Sequence, residues 1–127
     1  MMRTLSDWLE FVITTLQTWP HCHSVRILET QQFSERQFAL KVRATLTPGG
    51  TLQVRLYRNG AHTDYAYHVI DAEHSMRWDN KEHFPTLRSH PPHFHAANGQ
   101  VETSPLTGNP DHDLPLVLND LEQFAGG

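Results

Sequence analysis

The 127-residue chain carries 10 Lys/Arg, 14 Asp/Glu and 10 His, for a formal charge of -4 with histidine neutral; that length suits one domain, residues 1–127, built on a single core. Hydrophobic content of 38% and aromatic content of 9% exclude a disordered chain. The lone cysteine, Cys22, excludes an internal disulfide and a thiolate-rich zinc site, and a reducing cytoplasm is the expected compartment.

Asp7 and Glu10 interrupt the first apolar residues, so a secretory signal is not expected, and no run approaches bilayer length, so no membrane partner is expected either. Residues 1–58 hold 7 Lys/Arg against 4 Asp/Glu, whereas residues 59–127 hold 3 against 10 together with 8 of the 10 histidines. The acidic total argues against indiscriminate polyanion binding; a local basic face on the first half stays compatible with a nucleic-acid substrate.

Leu5, Trp8, Leu9, Val12, Ile13 and Leu16 recur at helical steps, with Thr4 and Asp7 placed as N-cap and N3, and Trp19-Pro20 stops the helix. "SVRILET" reads as a strand whose alternation Leu28 blurs. Phe38, Leu40, Val42, Ala44 and Leu46 alternate with polar or small residues, as do Leu52, Val54 and Leu56, then "HTDYAYHVI" and "SMRWD". Such a series predicts a meander of hairpins.

A three-residue Pro48-Gly49-Gly50 loop would pair Leu46 with Leu52 and set Arg43 opposite Arg55, and an Asn59-Gly60 type I′ turn would set Asp64 opposite Arg55. Matching faces further along sets Tyr67 opposite Trp78 and His68 beside Arg77, with Asp79 on the same face. After Asn80 the periodicity fades, although "HFHAANGQVETS" predicts a last hairpin around Asn98-Gly99. A final helix is expected from about Asp113, with Pro115 in its first turn. The fold class is therefore α+β: a mostly antiparallel sheet with both helices on its apolar face.

His68, Arg77 and Asp79 offer a proton-exchanging imidazole, a guanidinium for oxyanion charge and a carboxylate to orient the imidazole. Lys41, Arg43, Arg55 and Asn80 are candidate substrate-binding residues on that face. In "HFPTLRSHPPHFH", Pro85, Pro91 and Pro92 hold the chain extended, so His93 and His95 face the same way and can act as proton donor and acceptor. The same imidazoles, with His83 and His90, form the alternative: a ligand set for zinc or another divalent metal. Cys22 lies between His21 and His23, which point away from it in an extended chain, so a nucleophilic thiol is not expected.

"LYRNGAHTDYAYHVID", "MRWDNKEHFPTL" and "HPPHFH", in that order, resemble the TumE-like toxins of bacterial and archaeal toxin-antitoxin pairs. The resemblance spans roughly residues 35–118 and maps the family motifs onto Tyr65, Tyr67, His68, Arg77, Trp78, Asp79, Asn80, His83, Pro85, His93 and His95. It implies a small toxin, a cognate antitoxin partner and RNA as the target class. Joined to the residue reading, the expectation is a metal-independent endoribonuclease with His68 or His95 as base, His93 as acid, and Arg77 and Arg55 stabilising charge. A metal-dependent nuclease and a noncatalytic RNA- or protein-binding module are the alternatives, and the oligomeric state stays open between monomer and homodimer.

Overall fold

The computed structural model describes residues 3–47, 49–71, 75–80, 93–96, 101–104 and 106–125, the side chains of residues 93, 95, 101–103 and 123–125 excepted. Along these residues run α1 (Leu5–Thr18), β1 (Cys22–Ser34), β2 (Gln37–Leu46), β3 (Thr51–Asn59), β4 (His62–Ile70), β5 (Ser75–Asp79), β6 (His93–His95), β7 (Val101–Thr103) and α2 (Pro110–Ala125). The strands form one sheet in sequence order, every neighbouring pair antiparallel. The expected α+β meander is present, and the hairpin predicted in "HFHAANGQVETS" is β6–β7.

Helix α1 begins where the capping box was expected, with the Thr4 hydroxyl accepting from Asp7 N–H at 3.2 Å and the Asp7 carboxylate accepting from Thr4 N–H at 2.9 Å. Its apolar stripe buries Trp8, Val12 and Leu16, and Trp8 meets Phe38 of β2 edge-on at 5.4 Å. Helix α2 starts three residues before the expected Asp113. The Asn109 carboxamide accepts from Asp111 N–H at 3.1 Å, and Pro110 takes the first helical position, where its missing N–H costs nothing. Leu114, Val117, Leu118 and Leu121 of α2 join Leu40, Val42, Val54, Leu56, Tyr65, Tyr67 and Trp78 in one buried cluster. At about 1.5–3 kcal/mol for each large apolar side chain buried, this cluster is the main stabilising term.

Strand β1 extends beyond "SVRILET" at both ends, because its pairing with β2 continues to Ser34↔Gln37 across a tight turn. Leu28, which blurs the alternation, sits at a register shift between Ile27 and Glu29, as the extra residue of a bulge does. Two hairpin registers differ from expectation. Leu46 pairs with Cys22 of β1 and its N–H donates to Gly50 C=O at 2.9 Å, so Thr45↔Thr51 is the last pair of the β2–β3 ladder and Ala44 faces Leu52. Gly50 is required there: its φ is +96°, and a Cβ would lie 2.9 Å from the Ile70 carbonyl.

In the next hairpin Asn59 pairs with His62, and only Gly60 takes a positive φ, +63°. A type I′ turn needs positive φ at both central residues, so the loop is Gly60-Ala61 with glycine first, the type II′ sign pattern. Both registers therefore move by two residues. An even slip keeps every side chain on its face but changes its cross-strand partner. Arg43 lies opposite Gln53 and not Arg55, Lys41 lies opposite Arg55, and Asp64 lies opposite Tyr57 and not Arg55.

Candidate active site on the polar sheet face

Every second residue of β2 to β5 points away from the helices, and antiparallel pairing lines these residues up in rows across the strands. One row runs Arg26, Arg43, Gln53, His68, Arg77 and His95, from β1 to β6. Its neighbour runs Glu29, Lys41, Arg55, Ala66, Asp79 and His93. Directly paired residues in an antiparallel sheet have Cα atoms about 4.5–5.5 Å apart. The backbone thus brings His95 beside Arg77, Arg77 beside His68, and His93 beside Asp79.

His68 is half-buried, and its Nε2 lies 2.7 Å from the Ser75 hydroxyl. Burial and the nearby Arg77 guanidinium push its pKa below the usual histidine value, against a smaller opposing pull from Asp79. The imidazole is therefore kept in its neutral, proton-accepting form. Arg77 Nε is 2.8 Å from the Asp79 carboxylate, which is only 1% exposed. A buried carboxylate beside a guanidinium fixes the latter's plane, leaving the rest of its donor fork for an anion.

On the flanking strands, Lys41 Nζ lies 3.7 Å from the Glu29 carboxylate, and Arg43 donates to the Gln53 side-chain carbonyl at 3.3 Å. Arg55 lies opposite Ala66, the small residue separating it from Asp79. A groove of about 620 Å³ runs beside this cluster, lined in part by Lys41, Arg55, Tyr57, His62, Asp64 and Asn80. Asn80 has its amide engaged: Nδ2 donates to Thr63 C=O at 2.7 Å and Oδ1 accepts from Tyr65 N–H at 2.9 Å, which continues the pairing of β5 along β4. Tyr65 and Tyr67 are core residues, as read from their alternation.

His83 and His90, the further ligands of the metal alternative, lie outside the described residues, as do the three prolines around them. Among the described residues no three His, Cys, Asp or Glu side chains are grouped to hold a metal ion. Two contributors escaped sequence reasoning. Ser75 is diagonal to His68 across β4–β5, a position that the period-two argument for His68 and Arg77 also reaches. Arg26 enters the row only because the bulge at Leu28 restores its face, and that bulge has no clear composition signal.

An antiparallel sheet with two helices on one face, and imidazole, guanidinium and carboxylate groups in rows on the other, defines a small α+β protein with one apolar and one polar sheet face. Residues 12–125 match the profile of the family described as Toxin TumE, and the chain belongs to that family. It is accordingly the toxin component of a toxin-antitoxin system, and a cognate antitoxin is its partner. The match takes in α2, β1 and the second half of α1, beyond the motifs that carried the resemblance. Searches of curated proteins and of solved structures returned no match. Among the described residues no helix is long and apolar enough to cross a membrane.

Proposed function

We propose that this toxin is a metal-independent endoribonuclease whose active site is the His68–Arg77–Asp79 cluster completed by His93 and His95 of β6. One observation carries the reading: the row in which His68, Arg77 and His95 are consecutive cross-strand neighbours, with His93 across from Asp79. Neutral His68 takes the proton from a ribose 2′-hydroxyl, and the 2′-oxygen attacks phosphorus. The 5′-oxygen leaves with a proton from His93, the histidine that β6 pairs with Asp79. The products are a 2′,3′-cyclic phosphate and a 5′-hydroxyl; one proton is taken up, one is given, and no water is consumed. His95, beside the Arg77 cation, is the second candidate base.

Arg77, steadied by Asp79, and Arg55 across Ala66 stabilise the extra negative charge of the pentacoordinate phosphorus. Arg77→Ala is expected to lower kcat by about 10²–10³-fold, as loss of one oxyanion-stabilising group does. Alanine also removes a cation from beside a buried carboxylate, so Arg77→Lys is the companion variant. It keeps a charge next to Asp79, should melt near the wild type, and should still cleave RNA at least tenfold more slowly, since an ammonium lacks the planar fork. Cleavage by Arg77→Lys and Arg77→Ala within twofold of wild type would remove Arg77 from the mechanism.

A further inference from the structure

The cations of the polar face differ in how they are balanced. Lys41 has Glu29 at 3.7 Å and Arg77 has Asp79 at 2.8 Å. Arg26 and Arg43 are directly opposite each other, both exposed, and neither has an acidic partner among the described residues. Gln53, which accepts from Arg43 at 3.3 Å, orients that guanidinium without neutralising it. Like charges directly opposite in a sheet are destabilising, and here they persist on a chain whose formal charge is -4. The same row continues through Gln53 to His68 and Arg77. It contains no acidic residue from β1 to β5.

We propose that Arg26, Arg43 and the row they begin form a track for the phosphate backbone of single-stranded RNA, running over the β1 edge of the sheet towards His68 and Arg77. The inference rests on the ribonuclease reading and adds the direction and form of the substrate. Four strand spacings of about 4.8 Å separate Arg26 from Arg77, roughly 19 Å, so the strand would present several phosphates to the row. Among the described residues no further strand flanks β1, which leaves that end of the row at the edge of the sheet. A single strand fits the chemistry because the 2′-oxygen must swing in line with the leaving 5′-oxygen, a rotation that a stacked duplex resists. Sequence preference is not expected from this row, since contacts to phosphate position a strand without reading its bases.

The test is equilibrium binding of a fluorescent 12-nucleotide single-stranded RNA at several salt concentrations, measured on a His68→Ala background to limit cleavage during titration. Changing both arginines, Arg26→Gln with Arg43→Gln, should weaken binding at least tenfold at low salt and flatten the log–log salt dependence by about 1.4, given a slope near 0.7 per neutralised phosphate. Arg26→Lys with Arg43→Lys should keep the wild-type slope, which a merely structural role would not predict. A Gln pair that binds with unchanged affinity and slope overturns the track, and if that pair instead loses affinity for poly-glutamate the row serves an acidic protein partner. Wild-type chain that shows the track-dependent binding yet cleaves no RNA leaves the track standing and overturns the ribonuclease reading. Cleaving chain with track-independent binding does the reverse.

Discussion

Alanine in place of His68 is expected to slow RNA cleavage by about 10²–10⁴-fold, the range a positioned acid or base contributes. The fold should survive, since the half-buried imidazole meets the Ser75 hydroxyl on the polar face, and the core residues Met76 and Trp78 of β5 lie on the opposite face. The wild-type pH profile carries the same assignment. Burial first, and Arg77 second, lower the pKa of His68, so cleavage should rise with pH along a limb lying below the ordinary histidine value of 6.5. It should fall again at higher pH as the general acid loses its proton. In the His68→Ala protein the acid-side limb should be absent from whatever activity remains.

The same shift has a stability counterpart. A histidine whose pKa is lowered by folding favours the neutral form, so its contribution is present above the unfolded value and is lost as pH falls through the folded one. The wild type should therefore lose more stability on mild acidification than His68→Ala does. Urea midpoints across that window measure it, and parallel curves would contradict the assigned direction.

The second large effect lies on the other side of the sheet. Asp113 is fully buried and accepts from Thr107 N–H at 2.9 Å, the Thr107 hydroxyl at 3.1 Å and Gly108 N–H at 2.7 Å, with His112 Nδ1 also at 2.9 Å. One carboxylate thus ties the segment before α2 back onto the helix's first turns. Removing it leaves two backbone donors without that partner and a void beside the core. Hydrogen bonds to charged groups contribute about 1.5–3 kcal/mol each but do not add fully, so Asp113→Ala should cost roughly 2–4 kcal/mol. Denaturant unfolding checks the figure. Asp113→Asn should recover only part, because its amide nitrogen would meet one of those donors as another donor. An alanine variant within 0.5 kcal/mol of wild type, a bound set on the scale of ordinary surface substitutions at about ±0.5, would show that the loop holds without the carboxylate.

Local signals were read well from sequence. The α1 capping box and apolar stripe depend on residues within a few positions of one another, and the β4–β5 register follows from matching Tyr67 with Trp78 and Val69 with Met76. Registers β2–β3 and β3–β4 were not recoverable in the same way. A slip of two leaves Val42, Val54 and Tyr67 on the core face either way, so burial could not choose between the alternatives. The choice lay in turn backbone: the positive φ at Gly50 and Gly60, and Leu46 pairing with β1.

For the site, the consequence was specific. Membership of the polar face was legible for Lys41, Arg43, Arg55, His68, Arg77 and Asp79, whereas the partners of the first three were not. In place of the like-charge pair expected at Arg43 and Arg55, Arg43 meets Arg26 on its far side and Arg55 meets Lys41. The start of α2 was read late because Asn109 and Pro110 precede the first apolar residue of its stripe by a full turn.

Product chemistry tests the central claim most directly. Wild-type toxin incubated with a defined single-stranded RNA in excess chelator should yield fragments ending in 2′,3′-cyclic phosphate and beginning with 5′-hydroxyl, and His68→Ala should yield almost none. Fragments carrying 5′-phosphate, or cleavage abolished by the chelator and restored by a divalent metal, would contradict the account and assign the histidines of β6 to a metal instead.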